Sequence, residues 1–299
     1  MYQISPSCNV QLDIRPMITY FDNTSWEIPD RVALYDTQGN YLSVVSKKSA
    51  DNMRTYEEFA NMIGEGVSQY GKQIIVEDKL HLQGKRFSRI MRFPEETYDF
   101  KINNRNEKYQ LTMWSWSSYD LGWAEQWIFG PLCIICMNGQ FTSAWKIQAL
   151  SKKNWIRKSQ MTGTDITTAI ENFQEYPEFL EQVAGVNVND DDVQSLFRRT
   201  IVAKPKKLYT NGYSDLYMKQ LGELWNKYQS RLGSNLYSVY QTATDWASHP
   251  QGRGYKMNKV RDRSTKVSKM VESEYWLNLI NKPKTNLRGF APAAIASNF

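Results

Sequence analysis

Histidine, cysteine and long apolar runs are scarce in this chain of 299 residues. Two histidines and three cysteines leave few soft ligands for zinc and little choice of a catalytic base, and three cysteines suit no disulfide framework. No run of 18 apolar residues exists, and the first residues lack the basic and apolar regions of a signal peptide. The sequence therefore predicts a protein of a reducing cytoplasm, without a membrane segment.

Motifs of the common enzyme mechanisms are also missing. There is no Gly-rich phosphate loop of the Walker type, so nucleotide hydrolysis is not predicted, and there is no G-x-S-x-G turn for a serine nucleophile. Cys133 and Cys136 have the spacing of two zinc ligands, but they lie in an apolar run, so we interpret them as buried core residues. We predict no cofactor, no metal and no catalytic residue.

Aromatic residues are concentrated in one stretch, Tyr109 to Ile147, which holds five of the ten tryptophans and three charged residues. A spacing of two predicts a strand with Trp114 and Trp116 on one face and Leu111 and Met113 on the other. Because aromatic side chains dominate protein cores, we expect at least half of these tryptophans to be buried.

The first 140 residues carry most of the other strand signals. The β-prone runs are Arg31–Tyr35 and Tyr41–Val45, which flank a Gly-containing turn, then Ile74–Val76, Phe87–Phe93 and Trp127–Cys136. Pro94 is expected to end the fourth of these runs, and residues 97–108 to form a loop or an irregular hairpin tip. Thr55 and Glu58 have the spacing of a capping box, which predicts a helix that ends at Gly71.

Helical spacing dominates after residue 140. The predicted helices are 141–155, 165–176 with Thr164 as its cap, a short helix after 190–192, 217–232, 236–246 and 256–280, and Pro177 is expected to break the second. The predicted fold class is α+β: a mixed or antiparallel sheet in the N-terminal half, packed by helices, followed by a helical, basic part. We divide the chain into an α+β core domain, 1–203, a helical basic subdomain, 204–281, and a flexible tail, 282–299.

Charge is divided unevenly along the chain. Residues 1–197 hold 19 Lys and Arg against 25 Asp and Glu, whereas residues 198–299 hold 18 against 6, a balance of +12. Such an asymmetry makes a polyanion the first candidate partner. The basic helix at 256–280 is also compatible with an ordinary solvated face or with a helix that lies on a membrane surface.

Three segments resemble a known family. The segment SSYDLGWAEQWIFGPLCIICMNG, residues 117–139, is similar to the hallmark of the phage/plasmid-like protein family, in which a polar pair, an Asp-x-Gly turn and a Cys-Asn-Gly end recur. Residues 31–48 resemble the N-terminal hairpin of that family, and residues 236–250 its C-terminal helix ending in a histidine. The resemblance implies a role near replication or recombination in a phage or plasmid, with single-strand annealing suggested for such proteins, and a homo-oligomer if annealing applies.

Binding of single-stranded DNA is the predicted function, because stacking aromatics and phosphate-neutralising cations coexist in this chain. We expect Tyr119 and Trp123 to be exposed beside the turn they flank. The predicted contact residues are Lys85, Arg86, Arg89, Tyr119, Trp123, Lys152, Lys153, Arg253, Lys256, Lys259, Arg261, Arg263 and Lys266.

Two other functions are compatible with the sequence. Glu77-Asp78-Lys79 resembles the second half of the acidic-x-Lys motif of Mg²⁺-dependent nucleases, although the upstream Asp of that motif is not evident. A phage structural or host-interaction protein is the third interpretation, and it predicts no affinity for DNA. The sequence favours a binding protein over an enzyme.

Overall fold

The computed structural model describes residues 2–22, 24–134, 148–149, 161–202, 211–250 and 256–281. Its strands are β1 (Leu12–Phe21), β2 (Thr24–Asp36), β3 (Tyr41–Ser46), β4 (Ile75–His81), β5 (Arg86–Ile102), β6 (Arg105–Ser118), β7 (Gln126–Cys133) and β8 (Gln148–Ala149). Its helices are α1 (Lys47–Asp51), α2 (Tyr56–Val67), α3 (Gly163–Ala184), α4 (Asp190–Thr200), α5 (Asn211–Leu232), α6 (Leu236–Ser248), α7 (Lys256–Val271) and α8 (Glu274–Ile280). The α+β class is confirmed.

The strands form two antiparallel sheets. One has three strands in the order β1-β2-β3, and the other has five in the order β4-β5-β6-β7-β8, so every neighbour in each sheet is also a neighbour in sequence. The hairpin predicted at Arg31–Val45 is confirmed by the pairing of β2 with β3. The capping box of Thr55 and Glu58 is also confirmed. α2 ends at Val67, and a 3-10 turn, Ser68–Tyr70, leads to Gly71, whose φ is 70°.

The five-stranded sheet has two different faces. Phe87, Met91, Leu111 and Met113 are fully buried on the face that packs into the main core. Trp116, Trp123 and Ile128 form a separate, smaller cluster, with Trp114 partly buried against it. This division follows the alternation of side chains along β6, as the sequence predicted.

Helix α6 is the centre of the helical part. Every side chain from Leu236 to Ala247 is buried, and α6 packs against α3, α5 and α7. The Tyr237 hydroxyl lies 2.6 Å from the Tyr109 hydroxyl of β6, and the Gln241 amide donates to both hydroxyls. One hydrophobic core therefore runs from the sheets into the C-terminal helices. The boundary predicted at residue 204 lies in residues 203–210, outside the described ranges, and it stays a prediction.

A buried arginine connects the N-terminal residues, β4, β5 and α2. The Arg89 guanidinium is 0% exposed and pairs through Nε and Nη2 with both carboxylate oxygens of Asp78, at 2.7 and 2.9 Å. Its other N–H groups donate to the carbonyls of Tyr2, Gln3 and Ala60, at 2.9 to 3.0 Å. All five donors of the guanidinium are therefore used, which is the condition under which a charge is tolerated in a core.

Pro94 does not end its strand, contrary to the prediction. β5 continues to Ile102, and its pairing with β6 shifts register between Arg92 and Thr97. At such an irregularity the missing N–H of proline costs no ladder hydrogen bond. Residues 97–108 are not a loop but the end of a regular hairpin, in which Asn103 and Asn104 make the two-residue turn with φ of 45° and 58°.

Three helix predictions are corrected by the structure. α3 begins at Gly163 with Thr162 as its cap, and it continues through Pro177 because buried side chains on both sides of the proline, such as Phe173 and Leu180, hold the helix in place. Within the predicted helix 141–155, Gln148–Ala149 instead pairs with β7, and the other residues lie outside the described part. The helix predicted at 256–280 is two helices, because Ser273 caps α8. The tail predicted at 282–299 also lies outside the described residues.

We predict that Arg89→Met lowers the free energy of unfolding by about 3–5 kcal/mol, because it leaves the Asp78 carboxylate buried without its partner. Urea unfolding followed by circular dichroism measures this loss. The control is Arg92→Met, which removes the partly exposed pair with Glu77 and is expected to cost at most about 1 kcal/mol. Equal losses in the two variants would show that burial of the Arg89 pair has no special weight.

Candidate nucleic-acid interface

The prediction that Tyr119 and Trp123 are exposed is wrong. Tyr119 is 0% exposed: its ring stacks on Tyr56 at 3.9 Å between centroids, and its hydroxyl donates to the Val10 carbonyl and accepts from the Tyr56 amide. Trp123 is 3% exposed and packs beside His81. The turn that these two residues flank folds back onto the protein, so neither ring face is available for a base.

Two of the predicted arginine contacts are structural in the same way. Arg89 is buried and uses all five of its donors inside the protein, so it is corrected from a contact residue to a core residue. Arg86 is 12% exposed; its guanidinium binds the Asp120 carboxylate at 2.8 Å and lies 5.2 Å from the Trp123 ring centre. Asp120 in turn accepts from the Gly122 amide, so Arg86 holds the turn between β6 and β7.

Basic residues of α7 also face inward. Arg263 is buried; it donates to the Trp246 carbonyl at 2.6 Å and lies over the Trp246 ring at 4.3 Å. Lys266 donates to the Ile201 carbonyl at 2.9 Å, and burial, followed by repulsion from Arg263, lowers the pKa of Lys266. These two cations attach α7 to its neighbours and are corrected to structural residues.

The other predicted contact cations lie in α7, outside the described residues, or in the turn between β4 and β5. Lys259 is half-buried in α7, where Lys256 and Arg261 also lie. Lys152, Lys153 and Arg253 lie outside the described residues. Lys85 is half-buried and lies beside an exposed aromatic ring.

A row of cations and tyrosines runs along the outer face of the three-stranded sheet to the turn between β4 and β5. The row, called here the cation–tyrosine row, consists of Arg15, Tyr35, Tyr41 and Lys85. Arg15 Cζ lies 4.6 Å from the Tyr35 ring centre, the two tyrosine rings meet edge to face at 5.9 Å, and Lys85 Nζ lies 5.1 Å from the Tyr41 ring centre. Tyr41 is 50% exposed, and the Arg15 side chain is 53% exposed.

The hairpin turn between β2 and β3 places the two tyrosines side by side. The Asp36 carboxylate accepts from the backbone amides of Gln38 and Asn40 and from the Asn40 side chain, and Gly39 takes a φ of 84°. Hydrogen bonds from Asn40 lower the pKa of Asp36. The turn leaves Tyr35 directly opposite Tyr41 in the register, while neighbouring Leu34 points into the core.

The turn between β4 and β5 positions Lys85 against this hairpin. Leu82, Gln83 and Gly84 all have positive φ, and the Tyr56 hydroxyl donates to the Gly84 carbonyl at 3.0 Å. The Tyr119 amide donates to the Lys85 carbonyl at 2.9 Å. Tyr119 is therefore a positioning residue for the row rather than a stacking residue in it.

The row joins the two kinds of group that single-strand binding needs. A tyrosine face stacks on any base, and Lys or Arg neutralises phosphate. Asp13 lies 2.6 Å from Arg15 and offsets part of its charge. Arg31, Lys47 and Lys48 are exposed at the other end of the same sheet and add positive charge there.

Sequence reasoning missed three members of the row. Tyr35 and Tyr41 flank the predicted hairpin turn symmetrically, and this was a readable signal that both rings share one face. Arg15 had no such signal, because residues 1–28 show little periodicity and the pairing of β1 with β2 was not predicted. Lys85 alone was predicted.

The predicted nuclease motif is engaged in ion pairs. Both oxygens of Asp78 bind Arg89, and one also accepts from the Ser5 amide, while Glu77 accepts from Arg92. Among the described residues, no group of three or more His, Cys, Asp or Glu is placed to hold a metal ion. Cys8 and Cys133 are buried, and Cys136 lies outside the described part. No helix of that part is long and apolar enough to cross a membrane.

His81, at the end of β4, makes the stability of the fold depend on pH. Burial, followed by repulsion from Lys79 and Arg86, lowers the pKa of His81 to about 4. In the unfolded chain a histidine titrates near 6.5. As the pH falls from about 6.5 to 4, the unfolded state therefore gains a proton that the folded state does not, and stability is lost over that window.

We predict that this titration costs about 1–2 kcal/mol between pH 7 and 4.5, since solvent screens a half-buried ring. Urea unfolding at the two pH values measures the cost. His81→Gln keeps an acceptor or donor for Ser88, whose hydroxyl lies 2.8 Å from His81 Nε2, and is expected to lose less stability over the same window. An equal loss in both proteins would assign the acid sensitivity to carboxylates instead.

A comparison of the chain with protein-family models, with curated proteins and with solved structures finds no match. The resemblance to the phage/plasmid-like family therefore stays a prediction, and the geometry described above carries the functional argument.

Proposed function

We propose that this protein binds single-stranded DNA, without hydrolysing nucleotides, and serves replication or recombination of a phage or plasmid by annealing strands as a homo-oligomer in the host cytoplasm. The cation–tyrosine row is the observation that carries the proposal. Arg15 and Tyr41 are exposed and Tyr35 and Lys85 are half-buried beside them, whereas the tryptophan cluster and the inward cations of α7 serve the fold.

Binding follows from the chemistry of the row. Bases stack on the exposed Tyr41 ring, and the phosphates beside it are neutralised by Lys85 and, to a smaller extent, by Arg15, whose charge Asp13 partly offsets. Every base has a π-face and every nucleotide a phosphate, so binding tolerates any sequence and weakens with salt. A surface of this kind holds a strand with its pairing edges open, which is what annealing to a complementary strand requires.

We predict that Tyr41→Ala weakens binding of a fluorescein-labelled oligothymidine by about 5- to 150-fold, which corresponds to about 1–3 kcal/mol for one lost stacking contact. Fluorescence anisotropy at fixed salt measures the affinity. Tyr41→Phe keeps the ring and is the matched control, with an affinity close to that of the wild type. Equal affinities for all three proteins would remove Tyr41 from the interface.

We predict that Lys85→Ala reduces the slope of log affinity against log salt by about 0.7, the value for one lost phosphate contact on a single strand. The anisotropy titration is repeated over a salt series. Lys72→Ala is the control, because Lys72 also lies over a tyrosine ring, 5.4 Å from the centre of Tyr70, but pairs with Glu95 and Glu96. A change of slope in Lys72→Ala without one in Lys85→Ala would contradict this assignment.

The same titration distinguishes the other two functions. With Mg²⁺ present, the products are run on a denaturing gel, and intact DNA supports a binding protein. DNA that the wild-type protein cuts and the Glu77→Ala variant leaves intact indicates a nuclease. No affinity at low salt for single- or double-stranded DNA overturns the proposal and favours a structural or host-interaction protein.

A further inference from the structure

The outer face of the three-stranded sheet continues beyond the cation–tyrosine row to Arg31. Alternation along β2 puts Tyr35, Ala33 and Arg31 on this face. The register sets Arg15 of β1 opposite Ala33, so Arg15 lies beside β2 between Tyr35 and Arg31. Arg31 therefore extends the line of cations that the row begins.

The Arg31 side chain is exposed, and no hydrogen bond, ion pair or ring contact engages it within the described part of the chain. Arg15 differs, because its guanidinium binds Asp13 at 2.6 Å and lies over the Tyr35 ring. An arginine without a partner in the protein keeps its donors for a phosphate. The exposed Asp30 precedes Arg31 and offsets part of its charge, while α1, which follows β3 directly, adds a net charge of +1 at this end, from two lysines and one aspartate.

Among the described residues on this face from Tyr41 to Arg31, one ring is placed to stack on a base. Tyr35 is half-buried, a guanidinium lies over its ring, and it meets Tyr41 edge to face, with 70° between the planes. Two consecutive stacked bases are nearly parallel, so these two rings do not form a pair of stacking platforms. Between Tyr35 and Arg31, Ala33 and its partner Val44 on β3 offer neither a ring nor a charge.

The distance along β2 sets the length of nucleic-acid strand that this face holds. Tyr35 and Arg31 are four residues apart, which corresponds to about 13 Å in a β-strand. Stacked nucleotides are spaced by about 3.4 Å, so about four of them cover this distance, and fewer do so when the strand is extended.

We infer that this face binds a segment of about four nucleotides, with one base stacked on Tyr41, the other nucleotides held through their phosphates, and Arg31 as the distal phosphate contact. Lys85 and Arg15 contact the phosphates next to the stacked base. This inference rests on the proposed function and defines its ligand as a short backbone segment with one stacked base rather than a run of stacked bases.

The first test measures how affinity depends on strand length and on salt. Labelled oligothymidines of increasing length are titrated by fluorescence anisotropy, and the affinity of the wild-type protein is expected to rise steeply up to about four nucleotides and slowly beyond. Arg31→Gln is expected to stop this rise at a shorter length and to reduce the salt slope for an eight-nucleotide strand by about 0.7. The control is Arg105→Gln, which removes an exposed arginine at the turn between β5 and β6 and is expected to change neither quantity. Circular dichroism checks that each variant is folded.

The second test counts the stacked bases. An eight-nucleotide oligothymidine is compared with a strand of the same length made only of abasic nucleotides, and with one that keeps a single central thymidine. The fully abasic strand is expected to bind the wild-type protein about 5- to 150-fold more weakly, and the single thymidine to recover most of that loss. Tyr41→Ala is expected to bind all three strands alike.

The outcomes separate this inference from the proposed function. If the wild-type protein has no affinity for oligothymidine at low salt, both are overturned. If it binds, but Arg31→Gln behaves like the wild type in length dependence and salt slope, or affinity rises with every base restored to the abasic strand, the inference is overturned and the proposed function stands.

Discussion

The buried Arg89–Asp78 pair is the constraint on which the N-terminal half depends. The carbonyls of Tyr2, Gln3 and Ala60 all accept from this one guanidinium, so an arm, two strands and a helix meet at a single charged group. The guanidinium is fully buried, so each of its N–H groups left without an acceptor would cost about 1–3 kcal/mol. The position of α2 over the sheet, and hence of Tyr56 against the β4–β5 turn, follows from this arrangement.

The sequence predicted which side chains share a face of β6, because the alternation of side chains along a strand depends only on local backbone geometry. The alternation of β5 puts Arg89 on the face of Phe87 and Met91, but that face is the core, and sequence reasoning treated the cation there as a contact residue. Nothing in the local sequence reveals that three distant carbonyls and Asp78 converge on it. Pro94 and Pro177 were misread for a related reason, since tertiary packing and a register shift overrode the local effect of proline.

The candidate site was predictable only in part. The sequence suggested aromatic rings and cations as the contact groups, but it placed the rings at the turn between β6 and β7, where the structure buries them. Trp123 and Tyr119 pack inward because large rings bury much apolar area and the turn is short. The less conspicuous Tyr41 remains exposed on a sheet face, since its partner in the register is Tyr35 rather than a core residue.

Counting basic residues overstates the positive surface of this chain. Of the C-terminal cations, Arg231 pairs with Glu107, Lys227 with Asp245, and Arg263 and Lys266 bind backbone carbonyls. A cation that satisfies a buried acceptor contributes to folding and has little left to offer a phosphate. A row with fewer charges but with the exposed ring of Tyr41 is therefore a better candidate for a nucleic-acid strand than the most basic helix.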